Sequence, residues 1–116
     1  MSFLSDNNRI NLNTILESVN KIETFTAGII NSKEFYQDEK TFDSVLMNFV
    51  VIGESVARLD DDFRKLYPAI SWARIKSFRN LIAHNYFGID AEEVWQLISS
   101  HLPKLKQNIE KILIQD

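Results

Sequence analysis

Apolar residues return at three- and four-residue steps along most of this chain, the rhythm of helices with one buried face. Leu12, Ile15, Leu16, Val19 and Ile22 make the first stripe and predict a helix from about Asn8 to Thr26. Ala27-Gly28 is its expected end, because glycine tolerates the left-handed conformation that closes many helices. Ser32 is the expected cap of a short helix over Lys33 to Gln37. The next pattern is broader. Phe42, Val45, Leu46, Phe49, Val50, Ile52, Gly53 and Val56 put apolar residues on several sides, as in a helix buried against more than one neighbour. The run Phe49 to Ile52 is β-prone, but helical periodicity on both sides outweighs it. Gly53 costs ~1 kcal/mol against alanine inside a helix, so it points to close helix–helix approach.

Asp60 to Leu66 reads as a short helical turn stopped before Pro68. Ser71 is placed to cap a helix from Trp72 to about His84, with Ile75, Phe78, Leu81 and Ile82 as its apolar stripe. The chain then leaves the helix near Asn85 and turns through Gly88. Asp90 caps the next helix, with Glu93 at the capping-box position. Val94, Leu97, Ile98 and Leu102 form its inner face, and Leu105, Ile109, Ile112 and Leu113 carry the rhythm onward. Pro103, between them, must kink the helix or begin a new one. The expected fold is all-α: an up-and-down bundle of about four long helices with one or two short ones, forming a single domain over residues 1–116.

Composition agrees with this picture. Three glycines and two prolines in 116 residues leave few turns for a many-stranded fold. The absence of cysteine excludes disulfides and thiolate zinc sites, and it fits a cytoplasmic protein. Met1 to Asp6 has neither the basic region nor the apolar run of a signal peptide, and no apolar stretch reaches the ~20 residues of a membrane span. A net charge of −3 argues against a protein that coats nucleic acid electrostatically, yet leaves room for a local phosphate site. Arg74, Lys76 and Arg79 cluster together in the sequence, away from Asp60, Asp61 and Asp62. That acidic run reads as a solvated loop or helix start, and no metal or other cofactor is expected.

The chemistry is concentrated in Arg79-Asn80-Leu81-Ile82-Ala83-His84-Asn85-Tyr86. An arginine holds phosphate in a bidentate fork, and a histidine exchanges protons near neutral pH. With the tyrosine, these are the groups needed to cleave RNA without a metal. Asn80 and His84 are four residues apart and share a helix face, so the amide can orient the imidazole. Arg79 and His84 are five apart and diverge by about 140° on an ideal helix. Either the arginine's length bridges that gap, or the helix distorts, or a second chain completes the site.

The pattern R-x-x-x-x-H-x-Y resembles the signature of HEPN-domain ribonucleases. More closely, it resembles the HepT toxins of nucleotidyltransferase-paired toxin–antitoxin systems. Further blocks extend the likeness over roughly residues 10 to 113: Asp38 to Thr41, Ile52 to Ser55, Tyr67 to Trp72, and Phe87 to Asp90 followed by Val94-Trp95. The resemblance implies a homodimer whose two motif helices face each other, with Arg79 and His84 catalytic and Asn80 in support. It implies attack of a ribose 2′-hydroxyl on the adjacent phosphorus, giving a cyclic 2′,3′-phosphate and a 5′-hydroxyl. RNA is then the substrate, and DNA, which lacks that nucleophile, is not. It further implies a cognate nucleotidyltransferase that transfers AMP to Tyr86, where the added anion would neutralise the site.

Taken singly, each of these residues has a structural role open to it. His84 can cap helix carbonyls, Arg79 can serve a surface ion pair, and Tyr86 can pack against Phe87. His101 has no motif context and is read as structural, and Trp72 and Trp95 as packing residues. Glu54, charged on a mainly apolar helix, calls for a partner that the sequence does not identify. A rival reading makes the chain a non-catalytic helical partner or substrate-binding subunit of a nucleotidyltransferase. A third makes it a dimerising bundle with no nucleotide role.

Overall fold

The computed structural model of the chain describes residues 3–85 and 88–116, with the side chains of Leu81, Ala83, His84 and Asn85 excepted. Every regular element among the described residues is helical. In order they are α1 (Asp6–Thr26), α2 (Ser32–Gln37), α3 (Glu39–Arg58), α4 (Asp61–Lys65), α5 (Trp72–Asn85), α6 (Ala91–Gln96) and α7 (Leu102–Gln115). A π-helical turn, Leu97–His101, joins α6 to α7 without a break. No helix among the described residues is long and apolar enough to cross a membrane.

The stripes read from the sequence form the core. Leu12, Ile15, Val19 and Ile22 of α1 are fully buried, as are Val45, Ile52 and Val56 of α3 and Ile109 of α7. α1 and α3 make the most extensive helix pair, and α5 packs chiefly on α3. Asn7 Nδ2 donates to Arg58 O at 2.8 Å, which ties the start of α1 to the end of α3 and makes the pair antiparallel. At the same end, Asn8 is buried yet satisfied, since it accepts from Asp60 N and donates to the Asp60 carboxylate. Lys106 reaches Glu23, and Leu4 N donates to the Asp116 carboxylate, so α7 runs antiparallel to α1.

Three local expectations change in detail. α1 ends at Thr26, but no described glycine has positive φ, so Gly28 does not close it in the left-handed form. The cap of α2 is Asn31, whose Oδ1 accepts from Glu34 N at 2.9 Å, and Ser32 is already helical. Asp90 caps α6 through Glu92 N at 2.9 Å, one residue short of the box position. Pro103 begins a new helix, as expected: it lies in the first turn of α7, directly after the π-helical turn. A proline has no N–H to return and its ring crowds the carbonyl four residues back. Here the preceding turn is π-helical, and Leu102 N donates to Leu97 O.

A short relay aligns α5 on α3. Arg64 of α4 donates from Nη1 to Val56 O at 3.2 Å. Trp72 then donates from Nε1 to Arg64 O at 3.1 Å, which fixes the first residue of α5 to α4. Phe78 meets Phe49 of α3 edge to face, with ring centroids 5.5 Å apart. Trp95 packs its ring against Phe35, as expected of a packing residue.

Candidate active site

α5 carries the motif, and its sequence explains its orientation. Phe78 and Ile82 turn inward, while Ala73, Arg74, Lys76, Ser77 and Asn80 remain exposed. The helix is α-helical from Trp72 to Asn85, so both Arg79 and His84 lie on it. The motif's Arg79 and His84 are thus not split between two elements.

Arg79 emerges where α5 lies close against Gly53 of α3. A Cβ added to Gly53 would lie 2.9 Å from Arg79 Cβ and 3.2 Å from Arg79 N, inside the normal contact limit. Gly53 is therefore the close-approach residue that its helix position suggested. The next residue of α3, Glu54, receives the arginine's tip: Arg79 Nη1 donates to Glu54 Oε1 at 3.0 Å. The two side chains are 31% and 40% exposed, so the pair sits at the protein surface with its stems against the helix contact. The sequence had left Glu54 without a partner. Its signal was a single carboxylate beside a helical glycine on an apolar face, which marks a charge held at a helix crossing.

Asn80 is exposed, and its Oδ1 lies 3.5 Å from Arg79 Nε, the outer limit of a hydrogen bond. The expected contact between Asn80 and His84 involves a side chain outside the described residues. Tyr86 also lies outside them. His101 is exposed on the π-helical turn, on a different element from the motif. Asp61 pairs with Arg64, and Asp60 is engaged with Asn8. Among the described residues, no group of three or more histidine or acidic side chains is placed to hold a metal ion.

An all-α bundle that presents an Arg-x-x-x-x-His helix at its surface defines a helical protein with a candidate phosphate-handling site. Comparison with known proteins specifies the class. Residues 15–112 match the family model described as "Ribonuclease HepT-like", and the chain belongs to that family. It is 34% identical over 101 residues to "Probable ribonuclease HepT" of Thermococcus cleftensis, covering 87% of this chain and 91% of that one. It is 33% identical over 96 residues to "Putative RNase MJ1380" of Methanocaldococcus jannaschii, covering 83% and 87%. A third relative, "Gamma-glutamylcyclotransferase and putative RNase MJ0434" of the same organism, is 33% identical over 105 residues. That match takes 90% of this chain but 47% of the relative. No solved structure matches the chain significantly.

Proposed function

We propose that this protein is a metal-independent endoribonuclease and the toxin of a toxin–antitoxin pair, acting as a homodimer. The observation that carries the proposal is the intact Arg79/His84 pair on a surface helix of a chain in the HepT-like ribonuclease family. Arg79 stabilises charge building on the phosphoryl oxygens, where one preorganised donor is worth ~3–4 kcal/mol. His84 takes the proton of the ribose 2′-hydroxyl, and its oxygen attacks the neighbouring phosphorus. The second copy's histidine protonates the leaving 5′-oxygen. Asn80 serves as a positioning residue.

Two features support the dimer. Arg79 and His84 are on one α-helix, and on an ideal helix their directions diverge by about 140°. The face of α5 bearing Asn80 is also uncovered in the single chain. Beside it on α3, Met47 is 64% exposed and shares a helical face with Val50 and Glu54, so a second copy would cover apolar surface there. Control follows the family resemblance: a partner nucleotidyltransferase adds AMP to Tyr86, placing an anion beside the arginine and filling the space that RNA needs.

The test uses purified protein, defined RNA and excess chelator. The expected result is cleavage with 2′,3′-cyclic phosphate ends, from a species of about twice the 13.5 kDa chain mass. Co-expression with the nucleotidyltransferase should add AMP at Tyr86 and abolish cleavage, and Tyr86→Phe should resist the addition. AMP on Tyr86 of a chain that never cleaves RNA would favour the non-catalytic partner reading. Cleavage that requires magnesium would overturn the mechanism.

A further inference from the structure

We infer that Glu54 is a positioning residue for the cleavage reaction, one that fixes the Arg79 guanidinium at the cost of tighter phosphate binding. The inference rests on the ribonuclease reading above and concerns a residue outside the motif. Two independent features hold Arg79. Its stem lies against Gly53, at a distance where even one added carbon would collide. Its tip is held by the Glu54 carboxylate at 3.0 Å. A long side chain fixed at both ends loses most of its rotamer freedom before substrate arrives.

The ion pair leaves the guanidinium usable. Glu54 engages Nη1, and the Asn80 oxygen lies at the limit of contact with Nε. Nη2 has no partner among the described residues and is available to a phosphoryl oxygen. Guanidinium donors form a rigid planar fork, so setting Nη1 also sets the direction of Nη2. The carboxylate has a second consequence. It stands beside the position of an incoming phosphate and repels it, which weakens ground-state binding. Fixed geometry favours turnover, whereas the negative charge opposes affinity. The two effects therefore appear in different kinetic constants.

A surface ion pair with a merely structural role would not produce that split. Exposed pairs of this kind contribute little to stability, so loss of Glu54 leaves the bundle folded. The experiment measures kcat and KM on a defined RNA for the wild type, Glu54→Ala, Glu54→Gln, Arg79→Ala and the Glu54→Ala/Arg79→Ala double variant, with helical content checked by circular dichroism. Glu54→Ala should lower kcat by about 2- to 5-fold, the shift in rotamer population that a partly exposed ion pair can impose. Its KM should stay level or fall. Glu54→Gln, which keeps an acceptor oxygen, should recover part of kcat. The double variant should be no slower than Arg79→Ala alone, because Glu54 acts through the arginine.

Wild-type kcat in Glu54→Ala would overturn the inference. So would a raised KM with kcat unchanged, or a double variant slowed by the product of the two single effects. Should Glu54→Ala fail to fold, Glu54→Asp decides by the same readings, since its carboxylate is one methylene too short for the present contact. If the wild type itself does not cleave, or if Arg79→Ala cleaves like the wild type, the ribonuclease reading fails and this inference falls with it. If both controls behave and only the Glu54 variants are fully active, this inference alone fails.

Discussion

Helix α3 packs on α1 along one side and on α5 along another, and the two contacts are built from different materials. Toward α1 the filling is aliphatic: Leu12, Ile15, Val19 and Ile22 are all 0% exposed. Toward α5 the filling is partly aromatic: Phe49 meets Phe78 edge to face, and Trp72, Phe78 and Ile82 are buried among the described side chains of α5. The contact there adds a glycine that lets two backbones approach and a half-exposed ion pair, Arg79 to Glu54. Burial of apolar surface is non-directional and proportional to area, so the first contact gives stability without prescribing where any one atom points. The ion pair and the glycine contact prescribe direction and give little energy. One helix thus serves as scaffold on one side and, on the function proposed above, as a mount for Arg79 on the other.

That division can be broken most severely at Phe49, which is 1% exposed and touches Phe78 across the α3–α5 contact. Phe49→Ala should cost about 3–5 kcal/mol, as large-to-small changes of buried aromatics do. Urea unfolding measures it, and a loss below 1 kcal/mol would show the contact to be loosely packed. Arg79→Ala tests the opposite quality. Cleavage should fall by two to three orders of magnitude, the scale of a lost charge-stabilising donor. The denaturation midpoint should move little, and a large drop in stability with activity intact would reverse the assignment of roles.

Gly53→Ala addresses both properties together. The new Cβ meets Arg79 Cβ and backbone at once, so the helices must separate. Overpacking of this kind costs about 1–3 kcal/mol. Activity should fall further than stability alone predicts, because the arginine moves with its helix. Parallel thermal melts and cleavage assays read the two losses, and an unchanged melt would mean that the helices shift apart freely. Smaller effects are expected away from the contact. Asn31→Ala removes the cap of α2, worth about 1 kcal/mol, with no change in kcat. Breaking the Lys106–Glu23 pair should cost less than 1 kcal/mol, because both groups are partly exposed to water.

Sequence periodicity was enough to place the long helices and most of their inward faces. Leu12, Val19, Val45, Val56 and Ile109 are buried where their spacing put them, since side-chain direction on a helix repeats every 3.6 residues. The glycine within α3 was legible as a close approach for the same reason. Caps were less so: Asn31 displaced Ser32, because neighbouring polar residues compete for the same free N–H groups and the local backbone chooses. The π-helical turn before Pro103 was not legible either. A proline states only that a hydrogen bond is missing, and the packing on both sides decides how the helix absorbs it. The motif was recognisable as Arg79 with His84, but the partner of Glu54 was not. Glu54 and Arg79 are 25 positions apart, and nothing local in either helix encodes the other. Their contact exists because Gly53 lets α3 and α5 approach and the Val56–Arg64–Trp72 relay sets the register, a meeting that only the tertiary fold decides.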